Sequence, residues 1–544
     1  MLTHLLAATA ALLPVQQARS PMEDERPDSA RIRRAAEEAQ AGFERERRRH
    51  LPVFRGGRPS PCEERIGRFC YWYEGSGPLP EDPPRSVQAR ARLLRRLEEA
   101  RVELPGDGWI AGQQVRYLLE HGETDTAVAR ARACGADLAW CAALLGFALH
   151  AAERFDEAER AFDQALARMP VKDAGVWRDL RQVLEDDVPG ELADSLLWLG
   201  DPLLSRPGND LRTELLARRV MIRLLAEAGR TDRMSWGPDA AEMLYRYGWP
   251  VRWSVDIPHL SSYEQGSIVG HERQPAYGFF PIGREMRWDP ARARPRARYA
   301  PSYAKAFTAL GRHQVALFRR GDSTVAVAAF DLHGDTLFDT APVRAALALA
   351  RDPGTEPVVS ATEHTGPHGV VVAAAPWLPG AVSLEVERIG EGRFAVARAL
   401  VPPADPGMAL SDILLFEPGP SSPGSLAEAA LTARPDLRLP ARRPVGLYWE
   451  VYGATGDTIQ VSIAVVPGRP GLLGRVGRTL GVVGKPPPIS LEWAGPRGGS
   501  GEFLGRAIEF DLSHLAKGRY EIVVEAKDRS GRRAAARRPV VIVN

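Results

Sequence analysis

The sequence has little cysteine, almost no net charge and no long apolar run, and each scarcity excludes something. Its four cysteines fall in two pairs, Cys62 with Cys70 and Cys134 with Cys141. Neither pair has the C-x-x-C spacing of a redox motif or a zinc ribbon. Basic and acidic residues number 71 and 69, for a net charge of +2, so no global field draws the chain to nucleic acid. The P-loop and the Rossmann glycine fingerprint are missing. So are the G-x-S-x-G elbow, the H-E-x-x-H pair and the Asp-rich calcium loop. Gly474 to Gly484 is glycine-rich but lacks the Gly-Lys-Ser/Thr ending, and reads as a loop. His364 and His368 are four apart beside Glu363, yet Gly366 and Pro367 between them argue against a helical ligand pair. No catalytic, cofactor-binding or metal-ligating residue is assigned, no cofactor is expected, and the chain is not read as an enzyme.

What is present describes a multidomain chain. At 544 residues it should hold several domains, on a prior of roughly 100–200 residues each. The preference for Arg over Lys, with abundant Ala, Gly and Pro, fits a GC-rich bacterial genome. Residues 1–20 open with MLTHLLAATAALL, apolar from Leu5 and too short to cross a bilayer. This suits a secretory signal cut after Ala18. The expected location is the periplasm or the cell exterior, with no transmembrane segment beyond the signal. The cysteines fit that compartment, and local bridges Cys62–Cys70 and Cys134–Cys141 are the simplest of the three pairings.

Residues 21–60 are polar, end in the basic run before His50, and read as a charged, disordered linker, with a solvated helix over Ala36 to Arg49 as the alternative. Residues 61–230 read as helical. CEERIGRFCYWYE is a clipped element, followed by an amphipathic helix with Val87, Leu93, Leu94 and Leu97 inward. Between Ala139 and Pro170 the pattern sharpens. Leu145, Gly146 and Leu149 share one helix face, and Ala158, Phe162 and Ala165 share the next, with Pro170 as the stop. The small residues mark where two helices approach closely, and Phe162 fills the space beside them. This resembles the tetratricopeptide repeat, which the spacing matches once clearly and once weakly around Gly122 and Ala127. The resemblance implies a scaffold that binds a protein partner on a concave helical face.

Residues 231–312 read as a helical and irregular connector. Arg246, Tyr247, Gly248 and Pro250 follow a helix, and Trp236-Gly237 follows Thr231-Asp232. The arrangement is distantly similar to exported bacterial proteins with a GWxTD domain. That resemblance implies location and layout rather than an activity. Trp236, Tyr247, Trp249, Trp253, Tyr263, Tyr277 and Trp288 are the candidates for interaction with a partner or a glycan. Aromatics at such spacing also form buried seams.

From His313 the apolar period changes to two. Residues 313–418 read as a β-sandwich. In VSLEVE the odd face, Ser383, Glu385 and Glu387, is expected to meet water. Arg320-Gly321-Asp322 is read as hairpin turn chemistry rather than an adhesion signal. Residues 419–444 are a linker, and 445–544 a second sandwich in which Ile459, Val461, Ile463 and Val465 alternate. Its ending resembles the last strands of immunoglobulin-like modules in exported bacterial proteins. The expected fold is thus multidomain α+β, a TPR-like helical domain followed by two immunoglobulin-like β-sandwich domains. The expected function is a non-catalytic exported scaffold of the bacterial cell envelope. The alternatives are an envelope glycan-binding module and a hydrolase whose site is assembled from distant residues.

Overall fold

The computed structural model describes residues 26–55, 62–72, 78–183, 197–257, 266–273, 297–338, 342–401, 407–441, 443–455, 458–468, 489–496 and 503–543. Helices dominate the first half, and strands in several sheets the second. In chain order come α1 (Arg26–Arg49), β1 (Val53–Arg55), β2 (Glu64–Ile66), β3 (Phe69–Tyr71), α2 (Pro84–Glu103), α3 (Gly108–His121), α4 (Thr124–Arg132), α5 (Leu138–Ala151), α6 (Phe155–Arg168) and α7 (Val171–Arg178). Then follow α8 (Asp210–Ala226), α9 (Pro238–Tyr247), β4 (Arg252–Ile257) and β5 (Ser267–His271).

The segment read as a disordered linker is corrected here, because α1 is a packed helix. Its inward positions are Ala36, Gln40, Phe43, Glu44 and Arg47, all buried at helical spacing. Three of the five are polar, so no apolar stripe announced them. Their partners are inside too. Tyr117 Oη donates to Glu44 Oε1 at 2.7 Å, Thr231 Oγ1 donates to Glu44 Oε2 at 2.6 Å, and Gln40 Nε2 donates to Tyr117 Oη at 2.8 Å. A buried polar face is tolerated when its groups satisfy one another.

Helices α3 to α6 form two successive helical hairpins. Asp107 and Asp137 cap α3 and α5, each side chain accepting from two backbone N–H groups of the first turn. A Cβ built on Gly146 would sit 2.8 Å from the Phe162 ring, so only glycine lets α5 and α6 approach this closely. Ala158, Phe162 and Ala165 are fully buried beside it, and Pro170 ends the second hairpin at the start of α7. Both local disulfides form. Cys134–Cys141 joins the end of one hairpin to the start of the next, and Cys62–Cys70 clips β2 to β3. Such bridges persist in oxidising compartments.

Helix α8 covers one face of α3 and α5. Leu224 lies over Gly112, and Gln113 Nε2 donates to Leu224 O at 3.0 Å. Helix α5 is consequently buried nearly all round. The connector is not purely helical and irregular. Strand β4 pairs in parallel with β1 and antiparallel with β5, making a three-stranded sheet from two distant stretches.

The second half is a stack of sheets. Strands β6 (Ala306–Ala309), β7 (Arg312–Arg320), β8 (Ser323–Asp331), β9 (Val343–Ala350), β10 (Val358–His364), β11 (His368–Ala375), β12 (Ala381–Arg388) and β13 (Arg393–Leu400) form two of them. One has the order β10-β9-β12-β13-β6 and the other β11-β8-β7. They pack face to face through Leu347, Leu384, Val386, Ala328, Phe330 and Val371. His364 closes β10 and His368 opens β11, so the histidine pair flanks the turn that carries the chain from one sheet to the other rather than lying on a helix.

Next come β14 (Ala409–Leu410), β15 (Leu414–Phe416), α10 (Leu426–Leu431), β16 (Arg438–Pro440), β17 (Val445–Tyr452), β18 (Thr458–Pro467), β19 (Ile489–Pro496), β20 (Phe503–Phe510), β21 (Gly518–Asp528) and β22 (Arg533–Val543). Strand β17 pairs with β14, β15 and β20. The last sheet has the order β16-β22-β21-β18-β19. Strand β17 is buried on both faces. Leu447, Trp449 and Val451 meet the last sheet, while Tyr448 meets Phe318 of β7. The stretch 419–444, expected as a linker, is part of the packing, with Leu426, Ala429 and Ala430 of α10 filling the space between sheets. No helix among the described residues is long and apolar enough to cross a membrane.

Candidate functional site

The helical domain sits on the outer face of the five-stranded sheet, and a cluster of buried ionisable groups occupies the junction. Asn209 caps α8 and accepts from Arg212 N at 2.8 Å. Asp210 is the first residue of that helix and is 2% exposed. Tyr303 Oη donates to Asp210 Oδ2 at 2.5 Å. Asp201 stands within hydrogen-bonding reach of the same carboxylate. Asp210 Oδ1 has no other donor. Two buried carboxyls in contact cannot both ionise cheaply, so one proton is shared between them. Burial first, then the neighbouring Asp210, pushes Asp201 well above the carboxylate range. Burial raises Asp210 to about 6, with the Tyr303 hydrogen bond and His150 opposing the rise.

The sheet contributes the counter-groups. Arg398 of β13 donates to Leu199 O at 2.6 Å and to Asp201 O at 2.5 Å. Burial pulls its guanidinium down from the usual range, against the pull of Glu385 and Asp201. Glu385 of β12 accepts from Ser383 Oγ at 2.7 Å, from Ser205 N at 3.2 Å and from the Ser205 hydroxyl. This corrects the sequence reading of β12. Ser383 and Glu385 do not face water, because the loop at 197–206 lies over them. A loop trapped between layers needs partners for its carbonyls, and Arg398 supplies them.

A second group of charges holds the helices together behind the loop. The His150 ring places Nδ1 2.9 Å from Thr213 Oγ1 and Nε2 2.8 Å from Glu214 Oε2. Arg218 Nε donates to Glu214 Oε1 at 2.7 Å, and Arg218 Nη1 donates to Tyr245 O and Arg246 O at the end of α9. Burial would raise Glu214, but Arg218 and His150 outweigh it and hold the carboxylate at about 2.

Beside the loop, open toward β10, lies a cavity of about 140 Å³. Leu203, Ser205 and Arg206 form one wall, and Arg344, Glu385 and Phe394 stand on the sheet side. The displaced acids Asp201 and Asp210 do not line it. Chemically the junction stores a proton and pins a loop.

The sequence candidates are placed elsewhere. Tyr247 is a core residue, which corrects its reading as an interaction candidate. Its ring stacks on Tyr71 at 3.8 Å, and its hydroxyl donates to Glu64 Oε2 at 2.6 Å. Trp249 packs edge-on to Phe147 at 5.6 Å, Trp236 lies under Arg230, and Trp253 packs beside Gly270. All three tryptophans are half-buried. Tyr263, Tyr277 and Trp288 lie outside the described residues. Arg320 of the Arg-Gly-Asp turn pairs with Glu450, so its guanidinium is engaged inside the molecule. Among the described residues no three His, Cys, Asp or Glu side chains stand together at metal-holding spacing. Pattern reading missed Asp201, Asp210, Tyr303, Glu385 and Arg398, because they are gathered from stretches up to two hundred positions apart. The one local signal was an acid set among apolar residues before Pro202, and a second acid after Asn209 at the start of a helix.

No protein-family model matches the chain, and no curated protein does. Solved structures match parts of it. Red sea bream transglutaminase is 9% identical over 43% of this chain and 31% of that chain, with a TM-score of 0.14. A β-glucuronidase of Bacteroides uniformis is 11% identical over 41% and 26%, at 0.18. A 1.5-MDa bacterial ice-binding adhesin is 11% identical over 41% and 56%, at 0.12. The matched part spans less than two thirds of each of those chains, and likeness at these TM-scores supports no argument about fold or activity.

Proposed function

We propose that this chain is a non-catalytic, exported scaffold of the bacterial cell envelope that holds a tetratricopeptide-like helical array at a fixed place on a stack of immunoglobulin-like sheets. The observation that carries the reading is the continuity of the packing. Leu211 and Leu215 of α8 and Tyr245 of α9 share a core with Phe307, Phe394 and Val396 of the first sheet. That sheet shares a core with the β11-β8-β7 sheet, α10 and β17 join the latter to the next layer, and β17 shares its other face with the last sheet. Interfaces this apolar and continuous resist relative domain motion. The two disulfides and the Gly146–Phe162 contact support the exported and repeat parts of the reading. Since α8 covers one face of α3 and α5, a protein partner would engage another surface of the array.

The hydrolase reading draws on the displaced acidity of Asp201 and Asp210, but at 5% and 2% exposure neither reaches a substrate. The glycan reading loses Tyr247 to the core. The scaffold reading is tested by placing a photo-crosslinker at exposed Val171 of the full chain in an exporting bacterial host. One partner enriched over a crosslinker-free control supports it. Adducts to no protein, or hydrolysis of envelope polymers by the purified chain, would sink it.

A further inference from the structure

We propose that the cavity between Arg206 and the outer face of the five-stranded sheet is a binding site for a small organic monocarboxylate. The sheet register explains why there is room. Ala361 of β10 stands directly abreast of Ala346 of β9, which stands abreast of Glu385 of β12. Two alanines side by side leave a trough across the strands, and the Leu203–Arg206 loop closes one end of it. The resulting 140 Å³ accepts a group about the size of benzene, well below the roughly 300–1,000 Å³ of sites for drug-sized ligands.

The donors are waiting. The Arg206 guanidinium lies 3.9 Å from the centre of the Tyr303 ring and 5.6 Å from that of Phe394. Arg344 stands on the exposed face of β9. Neither guanidinium has a hydrogen-bond acceptor or an ion-pair partner among the described residues, although ion pairs are plentiful elsewhere in the chain. Of the neighbouring acids, Glu385 is filled by Ser205, Ser383 and Arg398, while Glu363 and Glu387 stand abreast of Arg344 on the two flanking strands without forming an ion pair with it. A planar guanidinium fork is suited to a carboxylate. Leu203, Val359 and Phe394 supply an apolar wall for a short carbon stem.

Glu387 sets the charge limit. It is the register partner of Arg344 on β12 and lines the same cavity. Its charge disfavours a dianion or a second carboxylate on the ligand, which narrows the class to monoanions. The inference does not depend on the scaffold reading.

The experiment is calorimetric titration of the full chain with butyrate, with butyramide as the uncharged control. Two capped peptides accompany them, one offering a glutamate side chain and the other a free chain end. Saturable butyrate binding is expected, weakened about 10-fold or more by Arg344→Ala, as for loss of a charge-assisted hydrogen bond. Glu387→Gln is expected to tighten it about 3-fold by removing a like charge. Arg344 is exposed on its strand, so the fold should survive the change, and Glu387→Gln gives an independent readout in the opposite direction. Preference for one peptide over butyrate would identify the carboxylate as a side chain or a chain end. Absence of saturable binding by all three carboxylates, equal binding of butyramide, or indifference to both substitutions would overturn the proposal.

Discussion

Tyr303 Oη donates a 2.5 Å hydrogen bond to Asp210 Oδ2 across the junction between helices and sheet, and Asp201 stands within hydrogen-bonding reach of the same carboxylate. The arrangement places a protonated acid in a site from which water is excluded. His150, Arg206, Arg398, Glu385 and Tyr299 surround the pair from the neighbouring elements.

A pH dependence follows, and its sign is set by the direction of the shifts. Both acids are raised in the fold, so the folded chain keeps protons that the unfolded chain releases near pH 4. Stability from this pair is full below that pH. It falls as pH rises through about 6, where Asp210 titrates, and Asp201 extends the fall higher. Asp201→Asn keeps a donor toward Asp210 and cannot ionise. It should stabilise the protein increasingly with pH, by about 1.4 kcal/mol per unit while the wild-type proton is held. Urea denaturation at pH 5, 6.5 and 8 measures this, and a constant difference would rule out the shared proton.

Arg320 and Glu450 give a second test. The carboxylate is 0% exposed and accepts two guanidinium N–H groups at 2.6 and 2.9 Å, with the Tyr448 and Tyr452 hydroxyls at 3.0 and 2.8 Å. Arg320→Ala leaves a buried charge without its cation and should cost about 3 kcal/mol. Adding Glu450→Gln should recover much of the loss, because both charges are then gone. A double-mutant cycle by chemical denaturation reads the coupling.

Gly146 and Gly175 should respond oppositely to alanine. At Gly146 the new methyl meets the Phe162 ring at 2.8 Å, and overpacking of this kind costs about 1–3 kcal/mol. At Gly175 of α7 nothing lies within 4 Å, and replacing a helical glycine should gain about 0.5–1 kcal/mol. Comparing the two melting temperatures checks the close approach of α5 and α6.

Reduction of Cys134–Cys141 should loosen the joint between the two hairpins. The chain closed by the bridge is short, and the loop-entropy argument assigns it about 2–3 kcal/mol. The Cys134→Ser/Cys141→Ser variant should unfold at lower denaturant than the parent and lose its sensitivity to reductant at that joint. Unchanged stability in both would mean that the helices hold the joint without the bridge.

Local pattern carried the elements whose buried and exposed sides differ. Helix α6 alternates small and large residues every third or fourth position, and β18 alternates every second, because each has one face in a core and one in water. Where both faces are buried the pattern fails. Strand β9 reads VRAALALA, nearly all apolar and rich in helix formers, and lies between two packed layers. Helix α1 fails for the opposite reason, since its inward face is polar and is satisfied by Tyr117 and Thr231 from other parts of the chain.

Sequence by itself determined the order of helices and then strands, the glycine–phenylalanine contact of α5 and α6, and a local pairing for each cysteine. These depend on residues within a few turns of one another. Only the tertiary structure decided that α8 covers a face of α3 and α5, that Glu385 lies under a loop, and that Asp201 and Asp210 are buried within hydrogen-bonding reach of each other. Each of those outcomes depends on which distant surface excludes water from a polar group, and burial of that kind is a property of the assembled layers that no short stretch encodes.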